Sequence, residues 1–449
     1  MKKLFGTDGI RGKANTYPIT PEIALQVGKA IAHAFGAEGH GSARVVLGKD
    51  TRLSGYMIET ALTSGLVSMG MDVLSIGPLP TPAIAHLIKS MCATCGIMIT
   101  ASHNPSDDNG IKIFDADGFK LPDSIELEIE KQILGGEINS AHINTALLGK
   151  AYRIDDAAGR YIEFAKGSIK NRSLNGLKIV LDCANGAAYK IAPLIFKELG
   201  AEIIKIGVQP DGHNINFECG ATHTDAMAAL VKEHNADLGI ALDGDADRVI
   251  LCDEKGNIVN GDRLIGMCAL DFKERGRLVD NTVVTTTMTN LGFHKAMNNS
   301  GINVAVTDVG DRYVINEMRE KGYNIGGEQS GHIIFMDYVT TGDGIITALH
   351  VLKMMLNKKK PLSVLADCME EFPQLLSNIE VKSKPPICDV PELQTIIKDC
   401  DYALGKNGRV IVRYSGTENK IRILVESSHA DDVKVWSDKI IAVVKKTLC

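Results

Sequence analysis

Asp243, Asp245 and Asp247 occupy alternate positions directly after an apolar run that ends at Leu242. Carboxylates at this spacing can converge on one hard cation, and Mg²⁺ in proteins takes few carboxylates together with a phosphate oxygen. The segment does not fit an EF-hand, because the position that needs glycine in a calcium loop is not glycine here. An acidic turn open to solvent is the weaker alternative, since apolar runs flank the segment on both sides. The pattern therefore predicts a magnesium site, and Arg248 beside it is suited to contact a phosphate.

Ser102 follows another apolar run and precedes His103, Asn104 and Pro105. A serine hydroxyl is a weak nucleophile until a base or a cation activates it, and the candidates are His103, Lys112 and a metal ion. The segment lacks the G-x-S-x-G pattern of acyl hydrolases, which leaves serine-triad chemistry without support. An ordinary turn before proline is the open alternative, and the residue considered alone favours it.

Two further polar loops contain groups suited to a phosphorylated sugar. Glu328 and Ser330, in a glycine-rich segment that ends at His332, offer an acceptor and a hydroxyl for sugar hydroxyls or an amine. The other loop carries arginines, hydroxyls and a glycine, namely Arg413, Ser415, Gly416, Thr417 and Arg422. Arginine and exposed backbone N–H groups make a good phosphate cradle. For either loop alone, a capping turn or a hairpin with surface charges stays open.

Together the four segments supply a phosphoryl acceptor, a metal site, a loop that reads hydroxyls and an anion cradle. Catalysis of phosphoryl transfer consists mostly of positioning and charge neutralisation. We therefore predict phosphoryl transfer on a sugar phosphate, with Ser102 as the phosphate carrier.

A threefold internal repeat carries the first three loops. Each repeat begins with a short β-branched run, and the runs are Arg44–Gly48, Lys178–Asp182 and Thr282–Thr286. A second run follows a helix-like stretch and opens with glycine, which fits a helix C-cap, at Gly70, Gly200 and Gly301. A third run then leads into the functional loop. This order predicts α/β domains with mixed or parallel sheets, whose functional groups lie at strand ends.

A different pattern follows the third repeat. Lys382–Pro386 is rich in helix and strand breakers, and strand-like runs at Arg409–Arg413 and Lys420–Glu426 flank the arginine-containing loop. We expect a helix over residues 431–446 and hence a small α+β domain. The predicted domains span residues 1–150 with the serine loop, 151–254 with the metal loop, 255–370 with the sugar loop and 371–449 with the phosphate loop. We expect the four to surround a central cleft.

Composition and charge exclude several classes of protein. The 449 residues are 45% hydrophobic and 23% charged, as in globular proteins with substantial cores. No stretch supplies the roughly 18 consecutive apolar residues of a membrane span, and no apolar region follows the basic first residues as in a secretory signal. A net charge of -6 without a long basic run argues against nucleic-acid binding. The 10 scattered cysteines indicate reduced thiols, and we expect a cytoplasmic protein.

The four loops resemble the signature loops of the α-D-phosphohexomutase superfamily, in the same order and at compatible spacing. The matching segments are Thr100–Pro105, Asp243–Arg248, Gly327–His332 and Arg413–Glu418. The resemblance covers the whole chain from Phe5–Gly12 onward. Within the superfamily, that opening motif, the segment Val309–Val314 and the glutamine of the sugar loop are most similar to bacterial members that act on glucosamine phosphates.

This resemblance implies a mutase with a phosphate on Ser102 and one Mg²⁺ between that phosphate and Asp243, Asp245 and Asp247. The phosphoserine would donate to glucosamine 6-phosphate and form glucosamine 1,6-bisphosphate, which also serves as the activator. The enzyme would then take back the other phosphate and leave glucosamine 1-phosphate for the amino-sugar nucleotide route to cell-wall precursors. The resemblance further suggests a homodimer through the first domain.

The same resemblance assigns roles to the surrounding residues. Lys112 would be the general acid or base, and the groups around the transferring phosphate would be Arg11, His103, Arg248 and His332. Glu328 and Ser330 would hold sugar hydroxyls, and the phosphate that does not react would be held by Arg413, Ser415, Gly416 and Thr417. Asn419 stands where the family usually has proline, which predicts looser geometry of the phosphate loop.

Three alternatives stay open from the sequence. A phosphomannomutase/phosphoglucomutase would perform the same chemistry on another sugar. A magnesium-dependent phosphatase would release inorganic phosphate, although Asp247 occupies the fifth position of the haloacid-dehalogenase pattern D-x-D-x-[TV] and argues against it. A non-catalytic sensor would bind sugar phosphates without turnover.

Overall fold

The structure is a computed structural model that describes residues 4–6, 8–36, 43–415 and 419–449. The chain forms two compact units. The first comprises Met1–Met288 and Gly301–Cys368, and the second comprises Thr289–Ser300 and Met369–Cys449. None of the helices in the described ranges combines the length and the apolar character that crossing a bilayer requires.

The first unit begins with a seven-stranded sheet in the order β1-β2-β6-β5-β3-β4-β7. Its strands are β1 (Phe5–Gly6), β2 (Gly9–Lys13), β3 (Arg44–Lys49), β4 (Asp72–Pro78), β5 (Cys95–Ile99), β6 (Asp108–Phe114) and β7 (Ala151–Arg153). The accompanying helices are α1 (Pro21–Ala34), α2 (Ser54–Ser68), α3 (Thr81–Ser90), α4 (Asp123–Gly135) and α5 (Glu137–Ser140). Every residue of β5 is buried, because parallel central strands are covered on both faces and take continuous apolar runs.

The second sheet of this unit has five strands in the order β12-β11-β10-β8-β9. Its strands are β8 (Lys178–Asp182), β9 (Glu202–Ile206), β10 (Leu238–Leu242), β11 (Val249–Asp253) and β12 (Ile258–Val259). Its helices are α6 (Ala157–Ser168), α7 (Ile191–Glu198) and α8 (Asp225–His234). The strand β10 is buried throughout, and it is the strand that leads into the three aspartates.

The third sheet has four strands in the order β14-β13-β15-β16. Its strands are β13 (Thr282–Thr286), β14 (Asn303–Thr307), β15 (Ile325–Gly327) and β16 (Ile333–Phe335). Its helices are α9 (Gly261–Glu274), α11 (Asp311–Lys321), α12 (Gly344–Lys358) and α13 (Leu362–Leu365). The helix α10 (Leu291–Asn299) connects β13 to β14 in the chain but belongs to the second unit.

One strand arrangement occurs in all three sheets. The parallel triplets β4-β3-β5, β9-β8-β10 and β14-β13-β15 are each followed by an antiparallel neighbour, which is β6, β11 or β16. The loop with Ser102 connects β5 to β6, the loop with Asp243 connects β10 to β11, and the loop with Glu328 connects β15 to β16. The predicted threefold repeat is therefore confirmed, and its three functional loops occupy equivalent connections at strand ends.

The second unit is built on a three-stranded antiparallel sheet in the order β17-β19-β18. Its strands are β17 (Gln374–Glu380), β18 (Gly408–Tyr414) and β19 (Lys420–Ser427), and its further helices are α14 (Pro391–Leu404) and α15 (Ala430–Leu448). Leu393, Ile423 and Ile440 join the helices and the sheet in one core. The predicted fold class, three similar α/β/α domains and a smaller α+β domain, is confirmed. The domain limits at residues 150, 254 and 370 stay predictions.

The strand β17 was absent from the sequence prediction. It pairs along its whole length with β19, yet two adjacent residues of the strand, Leu375 and Leu376, are both exposed. No alternation of apolar and polar residues therefore marks the segment as a strand.

Candidate active site

Ser102 lies in the loop that leaves β5 and is 1% exposed. Its backbone has a left-handed conformation with a φ of 53°, which costs a residue other than glycine about 1–3 kcal/mol. The Ser102 N–H donates to Thr100 Oγ1 at 2.8 Å, and the Ser102 hydroxyl donates to Asp243 Oδ2 at 2.7 Å. The turn thus directs the hydroxyl at the acidic segment of the second repeat.

The three aspartates form one buried cluster in the loop after β10. One oxygen from each of Asp243, Asp245 and Asp247 lies within 4.8 Å of the others. Gly244 packs against the serine loop, since a Cβ there would lie 2.5 Å from the carbonyl oxygen of Ser102. Glycine is therefore required for the acidic segment to approach Ser102. The structure brings together the hydroxyl and the three carboxylates that the sequence singled out separately.

The cluster has oxygens suited to a cation. Asp245 Oδ1 is buried and makes no hydrogen bond, and the buried Asp247 Oδ1 has His332 Nδ1 at 3.5 Å. Burial and the charges of Asp247 and Asp245 raise the pKa of Asp243 to about 8. A divalent cation would satisfy the oxygens and remove the mutual repulsion of the carboxylates. A set of hard oxygen ligands beside a serine hydroxyl fits Mg²⁺.

Lys112 lies among the same carboxylates, with Nζ 2.8 Å from Asp245 Oδ2 and 3.2 Å from Asp247 Oδ2. Burial lowers the pKa of Lys112, but Asp245, Asp247 and Asp8 outweigh it and hold the pKa well above its usual value. The ammonium therefore keeps its proton while these carboxylates are its partners. A cation on the same carboxylates would weaken the ion pairs and lower the pKa of Lys112 toward the range that suits proton transfer.

His103 and Arg248 contact each other beside the serine hydroxyl. His103 Nδ1 lies 3.3 Å from Ser102 Oγ and 3.0 Å from Arg248 Nη1, which donates to it. Burial and then the charges of Arg248 and Arg11 lower the pKa of His103 to about 4. The imidazole is therefore neutral near pH 7, whereas Arg248 brings a positive charge close to the hydroxyl. Such a charge is what stabilises a transferring phosphoryl group.

Arg11 of β2 contacts the serine loop, with Nη1 3.5 Å from the carbonyl oxygen of Ala101. The guanidinium also pairs with Asp8, and Asp8 pairs with Lys120. Lys120 is buried and pairs in addition with Asp311 of the third repeat. These successive ion pairs connect Arg11, in the first repeat, to Asp311 in the third.

His332 is the residue of the third loop that reaches the aspartates. Its Nε2 accepts the Gly342 N–H at 3.0 Å, and its Nδ1 lies 3.5 Å from Asp247 Oδ1. Burial lowers the pKa of His332, but Asp247 and then Asp311 raise it, with a net increase. Since Nε2 is an acceptor, Nδ1 carries the proton and faces Asp247. His332 is thus placed to orient a candidate metal ligand.

Glu328 and Ser330 lie in the outer part of the same loop. Glu328 Oε1 accepts the Gly310 N–H at 3.1 Å, and Ser330 is exposed. Both side chains are open to a ligand to a degree that Ser102 is not. The structure therefore separates this pair from the buried groups and leaves it free to contact a sugar.

The predicted phosphate cradle lies in the second unit. Arg413 of β18 is directly opposite Arg422 of β19. Burial, and then the charge of Arg422, lowers the pKa of Arg413. Two guanidinium groups at directly opposed positions repel each other, and a bound anion would relieve the repulsion.

The loop that follows Arg413 is described in part. Ser415 is buried, and its carbonyl oxygen accepts a hydrogen bond from Lys384 Nζ at 2.8 Å. Gly416 and Thr417, which the sequence predicts as phosphate ligands, lie outside the described residues. The looser loop geometry predicted from Asn419 concerns the same segment.

Several residues of the site were missed by reasoning from the sequence. Asp8 and Asp311 belong to motifs that resemble the family, but no local pattern assigns a role to either residue. Lys120 lies 112 residues from Asp8 and 191 from Asp311, so no local spacing links them. Thr81 begins α3 and donates from Oγ1 to Asp245 Oδ2 at 2.5 Å, again across 164 residues.

Four family models match successive parts of the chain. They describe phosphoglucomutase/phosphomannomutase alpha/beta/alpha domain I at residues 2–139, domain II at 159–256, domain III at 260–372 and the C-terminal domain at 376–443. The serine, metal, sugar and phosphate loops each fall within one of these matches.

Curated relatives are similar along their whole length. A phosphoglucosamine mutase from Citrifermentans bemidjiense is 54% identical over 449 residues, covering 100% of this chain and 99% of that protein. Proteins of the same name from Pelobacter propionicus and Anaeromyxobacter sp. (strain Fw109-5) are 54% and 52% identical, again over 100% of this chain and over 99% and 96% of theirs.

Solved structures with this fold are more distant in sequence. A phosphoglucomutase/phosphomannomutase family protein from Burkholderia thailandensis has a TM-score of 0.81 at 23% identity, covering 99% of this chain and 97% of that one. The Aspergillus fumigatus N-acetylphosphoglucosamine mutase in complex with GlcNAc-6P and magnesium has a TM-score of 0.67 at 18% identity, with coverages of 99% and 95%. At these identities the likeness establishes the fold alone.

Proposed function

This chain belongs to the phosphoglucomutase/phosphomannomutase family, and we propose that it interconverts glucosamine 6-phosphate and glucosamine 1-phosphate through a phosphate carried on Ser102. Full-length relatives at 54% identity carry the name of this activity. We further propose that it acts in the cytoplasm, which the free cysteines, such as the exposed Cys92 and Cys388, support.

One contact carries the proposal. Ser102 Oγ lies 2.7 Å from Asp243 Oδ2, at the edge of a buried cluster of three carboxylates. A phosphoryl group on this oxygen would lie beside the cluster, where Asp243, Asp245 and Asp247 would hold one Mg²⁺ per chain. Bound there, the ion supplies positive charge next to the phosphoryl oxygens, as phosphoryl transfer requires.

Two transfers in opposite directions complete the reaction. In the first, the 1-hydroxyl oxygen of glucosamine 6-phosphate forms a bond to phosphorus, the Ser102 Oγ–phosphorus bond breaks, and the hydroxyl loses its proton. Lys112 enters as the ammonium: it gives its proton to the departing Ser102 Oγ and takes up the proton that the sugar hydroxyl loses. Its Nζ lies within the carboxylate cluster that Ser102 Oγ contacts. In the second transfer, Ser102 Oγ takes the phosphoryl group from the 6-position, and the 6-hydroxyl regains a proton.

The groups around the serine assist both transfers. Arg248 and Arg11 neutralise charge on the phosphoryl oxygens. Neutral His103 offers a hydrogen bond next to Ser102, and His332 orients Asp247.

The remaining predicted residues bind the sugar and the phosphate that does not react. Glu328 and Ser330 bind sugar hydroxyls or the 2-amino group. The phosphate that does not react is bound by Arg413, Ser415, Gly416, Thr417 and Arg422. Because each phosphate takes the reacting role once, glucosamine 1,6-bisphosphate turns round between the transfers, and the same compound restores phosphate to a bare Ser102.

A coupled assay of product formation tests the proposal. Glucosamine 6-phosphate, mannose 6-phosphate and glucose 6-phosphate are compared at equal concentration, with catalytic glucosamine 1,6-bisphosphate and Mg²⁺. We expect glucosamine 6-phosphate to give the highest kcat/KM and no stoichiometric release of inorganic phosphate. Faster turnover of either other sugar contradicts the substrate, and steady phosphate release indicates a phosphatase instead.

We also propose a homodimer through the first domain. Leu127 and Leu134 of α4 are 55% and 39% exposed, and Tyr17 before α1 is 46% exposed. Leu127 and Leu134 are seven residues apart and so share one face of α4, and this exposed apolar face supports an interface there. Light scattering with Leu127→Asp tests it: we expect the wild type at twice the chain mass and the variant at one chain mass, and a monomeric wild type contradicts the dimer.

A further inference from the structure

Arg52 is the largest fully buried side chain in the described part of the molecule, and it lies directly beneath the serine loop. Its Nη2 donates to the carbonyl oxygens of Ser102 and Asn104 at 2.9 and 2.8 Å. Its Nη1 donates to the carbonyl oxygens of Pro105 and Asp108, the latter at 3.0 Å. One side chain thus holds four backbone carbonyls of the segment that carries the phosphate.

The guanidinium has no donor left for a phosphate. Its Nε donates to Asp50 Oδ2 at 2.9 Å, and an arginine has five N–H donors in total. All five are used on Asp50 and the four carbonyls. An arginine beside a phosphorylated serine would ordinarily be interpreted as a phosphate ligand, but Arg52 acts on the backbone of the loop.

A second donor reaches two of the same carbonyls from the second repeat. Asn216 Nδ2 lies 2.9 Å from the carbonyl oxygen of Ser102 and 3.0 Å from that of Asn104. Each of these carbonyls therefore accepts one hydrogen bond from Arg52 and one from Asn216, which uses both lone pairs of the oxygen. Arg52 and Asn216 thus act as a clamp: one from each repeat, they hold the loop at Ser102, the residue that must approach Asp243.

The clamp continues to the amide of the serine. Asp50 Oδ2, which pairs with Arg52, also accepts the Thr100 hydroxyl at 2.7 Å, and Thr100 Oγ1 in turn accepts the Ser102 N–H at 2.8 Å. The N–H and the carbonyl of Ser102 are therefore both fixed by one network. Such a network can hold the left-handed φ of 53° that a serine adopts with strain.

We propose that Arg52 is a positioning residue for phosphoryl transfer. Through its hydrogen bonds to the loop carbonyls, it holds Ser102 Oγ against the carboxylate cluster. The inference rests on the proposed mutase function. It makes Arg52 important for the rate of both transfers and unimportant for sugar binding, because no atom of Arg52 is available to a ligand. A misplacement of the reacting oxygen by about 1 Å can lower a rate by about 100-fold.

The test is Arg52→Lys in the full chain, which keeps the charge but has three donors for five acceptors. We expect kcat to fall by about 100-fold with KM for glucosamine 6-phosphate within about 3-fold of wild type. The single-turnover rate of phosphate transfer from prephosphorylated Ser102 to the sugar should fall by the same factor. A role limited to stability would lower the melting temperature and leave both rates at 25 °C unchanged.

Arg409→Lys is the matched control. Arg409 also joins a buried carboxylate, Glu426, to a backbone carbonyl, that of Thr289, but it does so in the second unit. We expect this variant to lose stability and to keep kcat within about 3-fold of wild type.

A folded Arg52→Lys with the wild-type kcat, or with a raised KM alone, overturns the inference. Where Arg52→Lys does not fold, Asn216→Ala decides: about 10-fold lower kcat at unchanged KM supports the clamp, and an unchanged kcat overturns it. An inactive wild type, by contrast, refutes the proposed function itself and is distinguishable from either result.

Discussion

Ser102 and Ser330 occupy equivalent connections in the first and third repeats, yet their surroundings differ in every respect that matters for chemistry. Ser102 is 1% exposed, has its hydroxyl on Asp243 Oδ2 and has its carbonyl held by two donors. Ser330 is exposed, and the adjacent acceptor Glu328 is held by a single backbone N–H from Gly310. The repeat supplies equivalent positions, whereas burial and fixed charge distinguish the hydroxyl proposed to react from the hydroxyl proposed to recognise the sugar.

The contrast extends to the charges around each serine. Around Ser102, Lys112 and Arg248 balance the charge of the buried carboxylates. A phosphoryl group transferred there would meet an electrostatic field that is already in place. Around Ser330 no such field is needed, because a sugar hydroxyl carries no charge. The comparison predicts that changes in the first loop lower kcat, whereas changes in the third loop raise KM.

The largest effect is expected from Ser102→Ala. Removal of the oxygen that carries the phosphate should lower kcat by at least about 10⁴-fold. The variant should still bind glucosamine 6-phosphate in calorimetry, because the sugar and phosphate ligands are intact. Residual turnover within 100-fold of wild type would mean that another group carries the phosphate.

A smaller but still large effect is expected from Asp245→Asn. The variant removes one negative charge and a proposed metal ligand, and kcat should fall by about 10³-fold. Mg²⁺ should raise the melting temperature of wild type more than that of the variant, because an ion that binds only the folded state stabilises it. Equal melting shifts in the two proteins would place the ion elsewhere.

Arg413→Gln, in the second unit, tests whether a residue proposed only to bind the ligand changes KM without changing kcat. The guanidinium is proposed to bind a phosphate that does not react, so its loss should raise KM by about 30-fold. We expect kcat to change by less than about 5-fold. Steady-state kinetics with glucosamine 6-phosphate separate the two parameters, and a kcat effect alone would contradict binding as the role.

Ser330→Ala provides the direct counterpart to Ser102→Ala. Loss of one hydrogen bond to a neutral hydroxyl is worth about 1 kcal/mol, which corresponds to roughly a 5-fold higher KM. The kcat should stay within about 2-fold of wild type. A drop in kcat comparable to that of Ser102→Ala would break the distinction between reacting and recognising loops.

The smallest effect lies away from both loops, at His350 of α12. Burial, followed by the charges of Lys353 and Arg277, lowers the pKa of His350 to about 3. The folded state therefore disfavours the protonated ring, so stability is complete above the unfolded pKa of about 6.5 and is lost as the pH falls below it.

Between pH 7 and pH 5 we expect wild type to lose about 1–2 kcal/mol of unfolding free energy through this residue. His350→Phe should stack on Phe335, as the imidazole does at a centroid distance of 4.8 Å, and should flatten that part of the dependence. Urea unfolding at both pH values measures it. Parallel pH profiles for the two proteins would exclude His350 as the cause.

Local patterns predicted the features of the fold that depend on neighbouring residues. The buried strand β10 and the acidic segment after it are adjacent in the chain, so an apolar run followed by Asp243, Asp245 and Asp247 was sufficient to locate the acidic loop. The same holds for Ser102 after β5. The strand β17 was not predicted, because its exposed leucines break the alternation of apolar and polar residues that marks a strand.

The support of the site depends on contacts between distant positions and could not be predicted. Arg52 reaches Ser102 across 50 residues, and Asn216 reaches it across 114. Lys120 and Asp311 are 191 residues apart. A single sequence shows which side chains are present, but only the folded sheets determine which loop each of them holds.

The central claim is that Ser102 itself carries the transferred phosphate. Its most direct test is to phosphorylate the protein with glucosamine 1,6-bisphosphate, map the phosphate by mass spectrometry, and then follow its loss by rapid quench after glucosamine 6-phosphate is added. The account predicts one phosphate on Ser102 that leaves for the sugar at a rate no slower than kcat. Phosphate on another residue, or a Ser102 phosphate that persists through many turnovers, would contradict it.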